Sequence, residues 1–209
     1  MSGLLACLVI CLLWKTSASA DRRLMWMIAS LYLMEIPAAG IVYFNPHRPS
    51  NIWYYNLVLT GVYAAYISRY SVLFIEKKLA QTSRVLALLF IVAHIMNMQF
   101  GQQMKMLCTN TLVPANIVLA ILAFLHLREQ VQRLTEHPLY QFSTWFSIST
   151  FVYFTGTVPI IAVLNYWSAE NIELADKLYI INDVLNVFYF LLIIAGLIWT
   201  KIKQTYSTS

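Results

Sequence analysis

Charge is the scarcest ingredient of this 209-residue sequence: Asp, Glu, Lys and Arg together make up 11% of it, against roughly 25% in an ordinary soluble domain. That shortage excludes a water-covered globule and a disordered chain alike, because neither can be built from so few solvated side chains. Cysteine is scarce too. Three thiols, Cys7, Cys11 and Cys108, make no disulfide framework. The six glycines form no phosphate-cradling loop. Neither His-Glu-x-x-His nor the Gly-x-Ser-x-Gly elbow occurs, so the common metalloprotease and serine-hydrolase signatures are missing. Internal repeats, low-complexity segments and the alternating pattern of a barrel strand are also absent.

What remains is apolar. Hydrophobic residues make up 60% of the chain and recur in long runs separated by short polar interruptions. Residues 1–209 therefore read as a single transmembrane domain with no separate soluble unit. In lipid, unpaired backbone groups cost several kcal/mol each, so the runs predict helices. Six are clear: Leu24 to Phe44, Ile52 to Ile75, Val85 to Phe100, Thr111 to Leu127, Phe142 to Tyr166 and Leu178 to Thr200. A seventh depends on the stretch from Ser2 to Ala20. Its Ala18-Ser19-Ala20 end suits a signal peptidase, yet residues 1–14 hold no Lys or Arg, and Lys15 follows the apolar run instead of preceding it.

The basic residues favour a retained first helix. With the N-terminus outside, 11 of the 14 Lys and Arg residues fall in inner loops, leaving Arg48, Lys105 and Lys177 outside, as the positive-inside rule requires. Cleavage after Ala20 would invert that distribution. The expectation is an all-α integral membrane bundle of seven transmembrane helices, N-terminus outside and C-terminus cytoplasmic, in the cell inner membrane. The net charge of +5 then belongs beside an anionic inner leaflet. The expected surroundings are the lipid bilayer and a cytoplasmic signalling partner, with no nucleic acid.

Several stretches point to a family. "LYLMEIPAAG" with Glu35, "NIWYYNL" with Asn56, "FSTWFSISTFVYFTG" with Trp145, Tyr153 and Gly156, and "INDVLNVFYFLLIIAGLIW" resemble small bacterial seven-helix membrane proteins of unknown function. The resemblance covers about residues 24 to 200 and implies no activity, cofactor or catalytic residue. Better-known seven-helix classes lack their required residues. A retinal protein needs a lysine within its last helix, whereas Lys177 and Lys201 only flank it. The Asp-Arg-Tyr and Asn-Pro-x-x-Tyr patterns of G-protein-coupled receptors are missing, as is the Pro-Gln pair of one group of small sugar transporters.

Polar residues at membrane depth are the candidate site. At ~1.5 Å per residue from the inner end of each span, His94 falls near ~14 Å, Glu35 near ~16 Å, and Asn97 and Asn186 near ~18 Å, with Asp183 closer to the outer water. In the last span Tyr179, Asn182, Asp183, Asn186 and Tyr189 share one helical face; Asn56, Thr60, Tyr63 and Tyr70 form a similar stripe. The ligand- or proton-binding candidates are therefore Glu35, Asn56, His94, Asn97, Asp183 and Asn186. A carboxylate such as Glu35 at mid-bilayer must be protonated, partnered or wet. Both a helix-tying hydrogen bond and a proton- or ligand-linked role fit it. Pro37, two residues on, frees a carbonyl one turn earlier and admits a kink beside the acid for either purpose. His94 reads first as a structural hydrogen-bonding group, with proton sharing as the alternative.

Residues 94–108 also carry Met96, Met98, Met104 and Met106 between His94 and Cys108, donors that suit Cu(I). Residues two apart on a helix point in different directions, however, and methionine commonly fills apolar gaps. No metal centre or cofactor is therefore assigned. Three function classes are left: a receptor-like or regulatory module acting through a partner, a small-solute or proton-coupled transporter using Glu35, His94 and Asp183, and an intramembrane enzyme. The first ranks highest, because many carriers show internal symmetry that this chain lacks and no enzyme motif is found.

Overall fold

A computed structural model describes residues 52–102, 106–132 and 138–207. Every regular element among them is helical: α1 (Ile52–Leu73), α2 (Lys77–Phe100), α3 (Thr109–Gln132), the short 3-10 turn η1 (Pro138–Tyr140), α4 (Phe142–Glu170) and α5 (Ile172–Ser207). Four of these, α2, α3, α4 and the Glu173–Thr200 part of α5, are long and apolar enough to cross a membrane. The protein is thus a multi-pass membrane protein by length and composition.

This corrects the expected architecture. Five long helices, four of them span-grade, are present among the described residues, and they do not support a seven-helix bundle or the orientation deduced from it. The expected spans 2–20 and 24–44 lie outside the described residues. The expected span 52–75 is a helix, α1, but does not qualify as a span by composition. Its Tyr54, Tyr55, Tyr63, Tyr66 and Tyr70, with Asn56 and Arg69, dilute the apolar content. Conversely, the short span 85–100 is part of a 24-residue helix, about 36 Å long at 1.5 Å per residue. The Lys77-Lys78-Leu79-Ala80-Gln81 stretch is rich in strong helix formers, so the helix starts before the apolar run.

Local chemistry marks the helix ends. Asn171 closes α4 and opens α5: its extended backbone breaks the first helix, and its Oδ1 accepts the Leu174 N–H at 3.1 Å as an N-cap. Gly101 ends α2, with its N–H on the Asn97 carbonyl at 3.0 Å. Between α1 and α2, the Glu129 carboxylate of α3 accepts the N–H groups of Ile75 and Glu76 at 3.1 to 3.3 Å. The turn is therefore pinned to the end of α3.

Helix α1 packs on α2 and α3, α3 on α4, and α4 on α5, while η1 rests against α4 and α5. The core is aromatic. Tyr63, Tyr66 and Tyr70 recur every three or four residues on the buried face of α1 and meet Phe90 of α2 and Phe146 and Phe154 of α4 with ring centroids 5.5 to 6.0 Å apart. Close approach of α4 and α5 depends on glycine: a Cβ at Gly196 would overlap the Trp145 side chain, and one at Gly156 would lie 3.1 Å from Leu185.

Candidate functional site

The polar residues of the interior fall into three tiers along the bundle. The first lies where the α2–α3 connection folds in against the start of α1. Asn56, fully buried, donates from Nδ2 to the Met106 carbonyl at 2.9 Å and accepts the Cys108 N–H on Oδ1 at 3.1 Å. One side-chain amide thus replaces the partners that this connecting backbone would otherwise lack in an apolar setting. Asn165 of α4 adds a bond from Nδ2 to the Leu107 carbonyl at 2.7 Å. Asn97 and Gln102 pair at 3.1 Å, and Gln102 continues to Thr109 at 3.0 Å.

His94 belongs to this tier. Its Nε2 lies 3.1 Å from the Asn56 carbonyl oxygen, an acceptor only, so Nε2 carries the hydrogen. Nδ1 lies 2.6 Å from Thr111 Oγ1. Thr111 Oγ1 is also 3.0 Å from the Cys108 carbonyl, but that carbonyl already accepts the Thr111 and Leu112 N–H groups at 3.2 and 3.1 Å. With the ring hydrogen on Nε2, a neutral imidazole accepts the Thr111 hydroxyl proton on Nδ1 at the shorter distance, in competition with the Cys108 carbonyl. Burial pushes the Cys108 thiol above its ordinary pKa, and a hydrogen bond with Asn97 offsets part of that rise.

The second tier is a directed chain across three helices. Tyr63 Oη donates to Asn116 Oδ1 at 2.6 Å, Asn116 Nδ2 donates to Thr157 Oγ1 at 3.1 Å, and Thr157 Oγ1 donates to the Phe154 carbonyl at 3.2 Å. Each donor ends on an acceptor. Nearby, the Tyr66 and Tyr189 hydroxyls meet at 2.8 Å and join α1 to α5.

The third tier joins α3 to α4 near the α1–α2 turn. Gln130 Nε2 donates to His126 Nε2 at 3.1 Å, which leaves the ring hydrogen on Nδ1 to donate to Ser147 Oγ at 2.8 Å. Tyr70 Oη approaches the same Ser147 at 3.5 Å. A serine beside a histidine invites a nucleophile reading, yet here the imidazole gives its proton to the serine rather than taking one. Both side chains are also fully buried. The pair ties two helices together.

The sequence candidates separate accordingly. Asn56 and His94 are brought into contact, and Asn97 lies in the same tier. Asp183 is exposed on α5, and Asn186 is half-buried there. Glu35 and Met104 lie outside the described residues. Met98 is buried while Met96 and Met106 are exposed, so the thioethers of α2 do not converge. No group of three or more His, Cys, Asp or Glu side chains suited to a metal ion occurs among the described residues.

Sequence reading missed Asn116, His126 and Gln130. Their signal was available: Asn116, Leu119, Ala123, His126 and Gln130 follow three- and four-residue spacing on the buried face of α3. Comparison with known proteins finds no matching family, no matching curated protein and no matching solved structure.

Proposed function

We propose that this membrane protein is a receptor-like, regulatory module that acts through a separate partner. The supporting observation is the commitment of the polar side chains in the three tiers. His94, the buried titratable side chain among the sequence candidates, has both ring nitrogens engaged by Asn56 and Thr111, while Asp183 sits on the outer surface of α5. A proton-coupled carrier needs acids and bases in sequence along an interior path; of Glu35, His94 and Asp183, the two among the described residues, His94 and Asp183, supply no such pair. Closed hydrogen-bond tiers instead suit a bundle that holds one shape and responds as a unit. The proposed location is the cytoplasmic membrane, supported by the gathering of Lys77, Lys78, Arg84 and Arg128 toward one end of α2 and α3.

The deciding experiment is paired. Purified protein in liposomes is assayed for solute uptake driven by a proton gradient, and the same protein in native membranes is crosslinked to capture a stoichiometric partner. Absence of flux together with a captured partner is the expected result. Gradient-driven uptake abolished by His94→Gln would replace this reading with the carrier.

A further inference from the structure

We propose that the outer face of α2 binds an anionic glycerophospholipid, with Lys77 and Lys78 on the headgroup phosphate and Val85, Leu88, Leu89 and Val92 beneath the acyl chains. The surface begins at the pinned turn. Because Glu129 holds the Ile75 and Glu76 N–H groups, its neighbour Arg128 is drawn to the end of the bundle where α2 starts. Lys77, Lys78, Arg84 and Arg128 are all exposed there. The Glu129 carboxylate faces the turn backbone, which leaves exposed Glu76 as the other acid of the turn. The local balance is positive.

What distinguishes this patch from a plain basic end is the surface that continues it. Lys78, Gln81, Thr82, Val85, Leu88, Leu89 and Val92 share one side of α2, opposite the buried Ser83, Ala87, Phe90, His94 and Met98. The four apolar members are 54% to 64% exposed. Along one face the order is therefore the cation Lys78, with Lys77 on its flank, then the polar Gln81 and Thr82, then aliphatic side chains for about two turns. That sequence of chemistries complements a phosphate, a glycerol ester region and an acyl chain, in the same order and along the same axis. A small soluble anion would use only the lysines; a lipid uses the whole face. Lysine stems lying along the helix can place their ammonium groups at headgroup level.

The test uses the full chain in a neutral detergent, titrated with dioleoylphosphatidylglycerol or dioleoylphosphatidylcholine, with bound lipid counted by native mass spectrometry. Phosphatidylglycerol is expected to bind more tightly than phosphatidylcholine. Lys77→Gln/Lys78→Gln should weaken phosphatidylglycerol binding about 30-fold, roughly a factor of 5 per lysine, and leave phosphatidylcholine unchanged. Lys77→Arg/Lys78→Arg should retain the selectivity. Equal binding of the two lipids by the wild type overturns the proposal, and so does selectivity that survives the double Gln change. Displacement of the lipid by sn-glycerol 3-phosphate or inorganic phosphate at similar concentration would also overturn it, by showing a free-anion site. Should the Gln variant fail to fold, the wild-type lipid comparison and the Arg variant still decide.

Discussion

His94 and Asn56 are joined through the backbone: the imidazole Nε2 donates to the Asn56 carbonyl at 3.1 Å while the Asn56 side chain holds the α2–α3 connection. One asparagine therefore links α1, α2 and the entry to α3. Loss of either residue should be felt by all three.

His94→Ala removes one donor and one acceptor from a buried site and leaves Thr111 Oγ1 without its ring partner. The expected cost is about 1–3 kcal/mol, the price of an unmade buried hydrogen bond. Thermal unfolding in detergent measures it, and a variant as stable as the wild type would show that the contact contributes nothing.

A second prediction concerns Tyr63 and Asn116, whose hydroxyl and amide lie 2.6 Å apart. In a double-mutant cycle of Tyr63→Phe and Asn116→Ala, the two changes should be non-additive by about 0.6 to 1.7 kcal/mol, the span from average to largest for interhelical hydrogen bonds within membranes. Strict additivity would mean that the short distance carries no energetic coupling.

Two glycines should respond in opposite ways. Gly196→Val places branched atoms where Trp145 already lies, so overpacking should destabilise by about 1–3 kcal/mol. Around Gly61 an added Cβ meets nothing within 4 Å, so Gly61→Ala should be neutral or stabilising by up to about 1 kcal/mol through helix propensity. The melting temperatures of the two variants should fall on opposite sides of the wild type or, at the least, be well separated.

Cys108 yields a pH prediction. Burial favours the neutral thiol, so in a Cys7→Ala/Cys11→Ala background maleimide labelling should remain slow until the pH passes the ordinary thiol range. The unfolded chain should label faster at the same pH. Because the folded state holds its proton more tightly, this group's contribution to stability is complete below the unfolded thiol pKa. It declines as pH rises from there through the raised folded value. Asn97→Ala removes the hydrogen bond that lowers the pKa and should move the labelling midpoint higher still. A midpoint in the folded protein at or below that of the unfolded chain would refute the argument.

Helices were legible because their cause is local. Long apolar runs in a medium without water admit little else, and every expected span from residue 52 onward falls largely within one of α1 to α5. Boundaries were less so: reading stopped at charged residues, whereas helix propensity carries α2 back to Lys77, and α5 runs on past Lys201 to Ser207. Tyr63 and Tyr70 were placed on one stripe by their spacing, and both are buried. Asn116, His126 and Gln130 were overlooked because averaging over apolar neighbours hides single polar residues, although their spacing marks the packed face of α3.

By itself the amino-acid sequence determined that this chain belongs in a membrane and is helical, since composition and run length set the solvent each segment tolerates. Only the tertiary structure decided which polar side chains meet. His94 and Asn56 are 38 residues apart, Tyr63 and Asn116 are 53 apart, and Tyr66 and Tyr189 are 123 apart. Residue spacing specifies the face of a helix on which a side chain lies. The partner across the interface depends on how helices pack, and that is settled jointly by the aromatic core, the glycine contacts and the pinned connections.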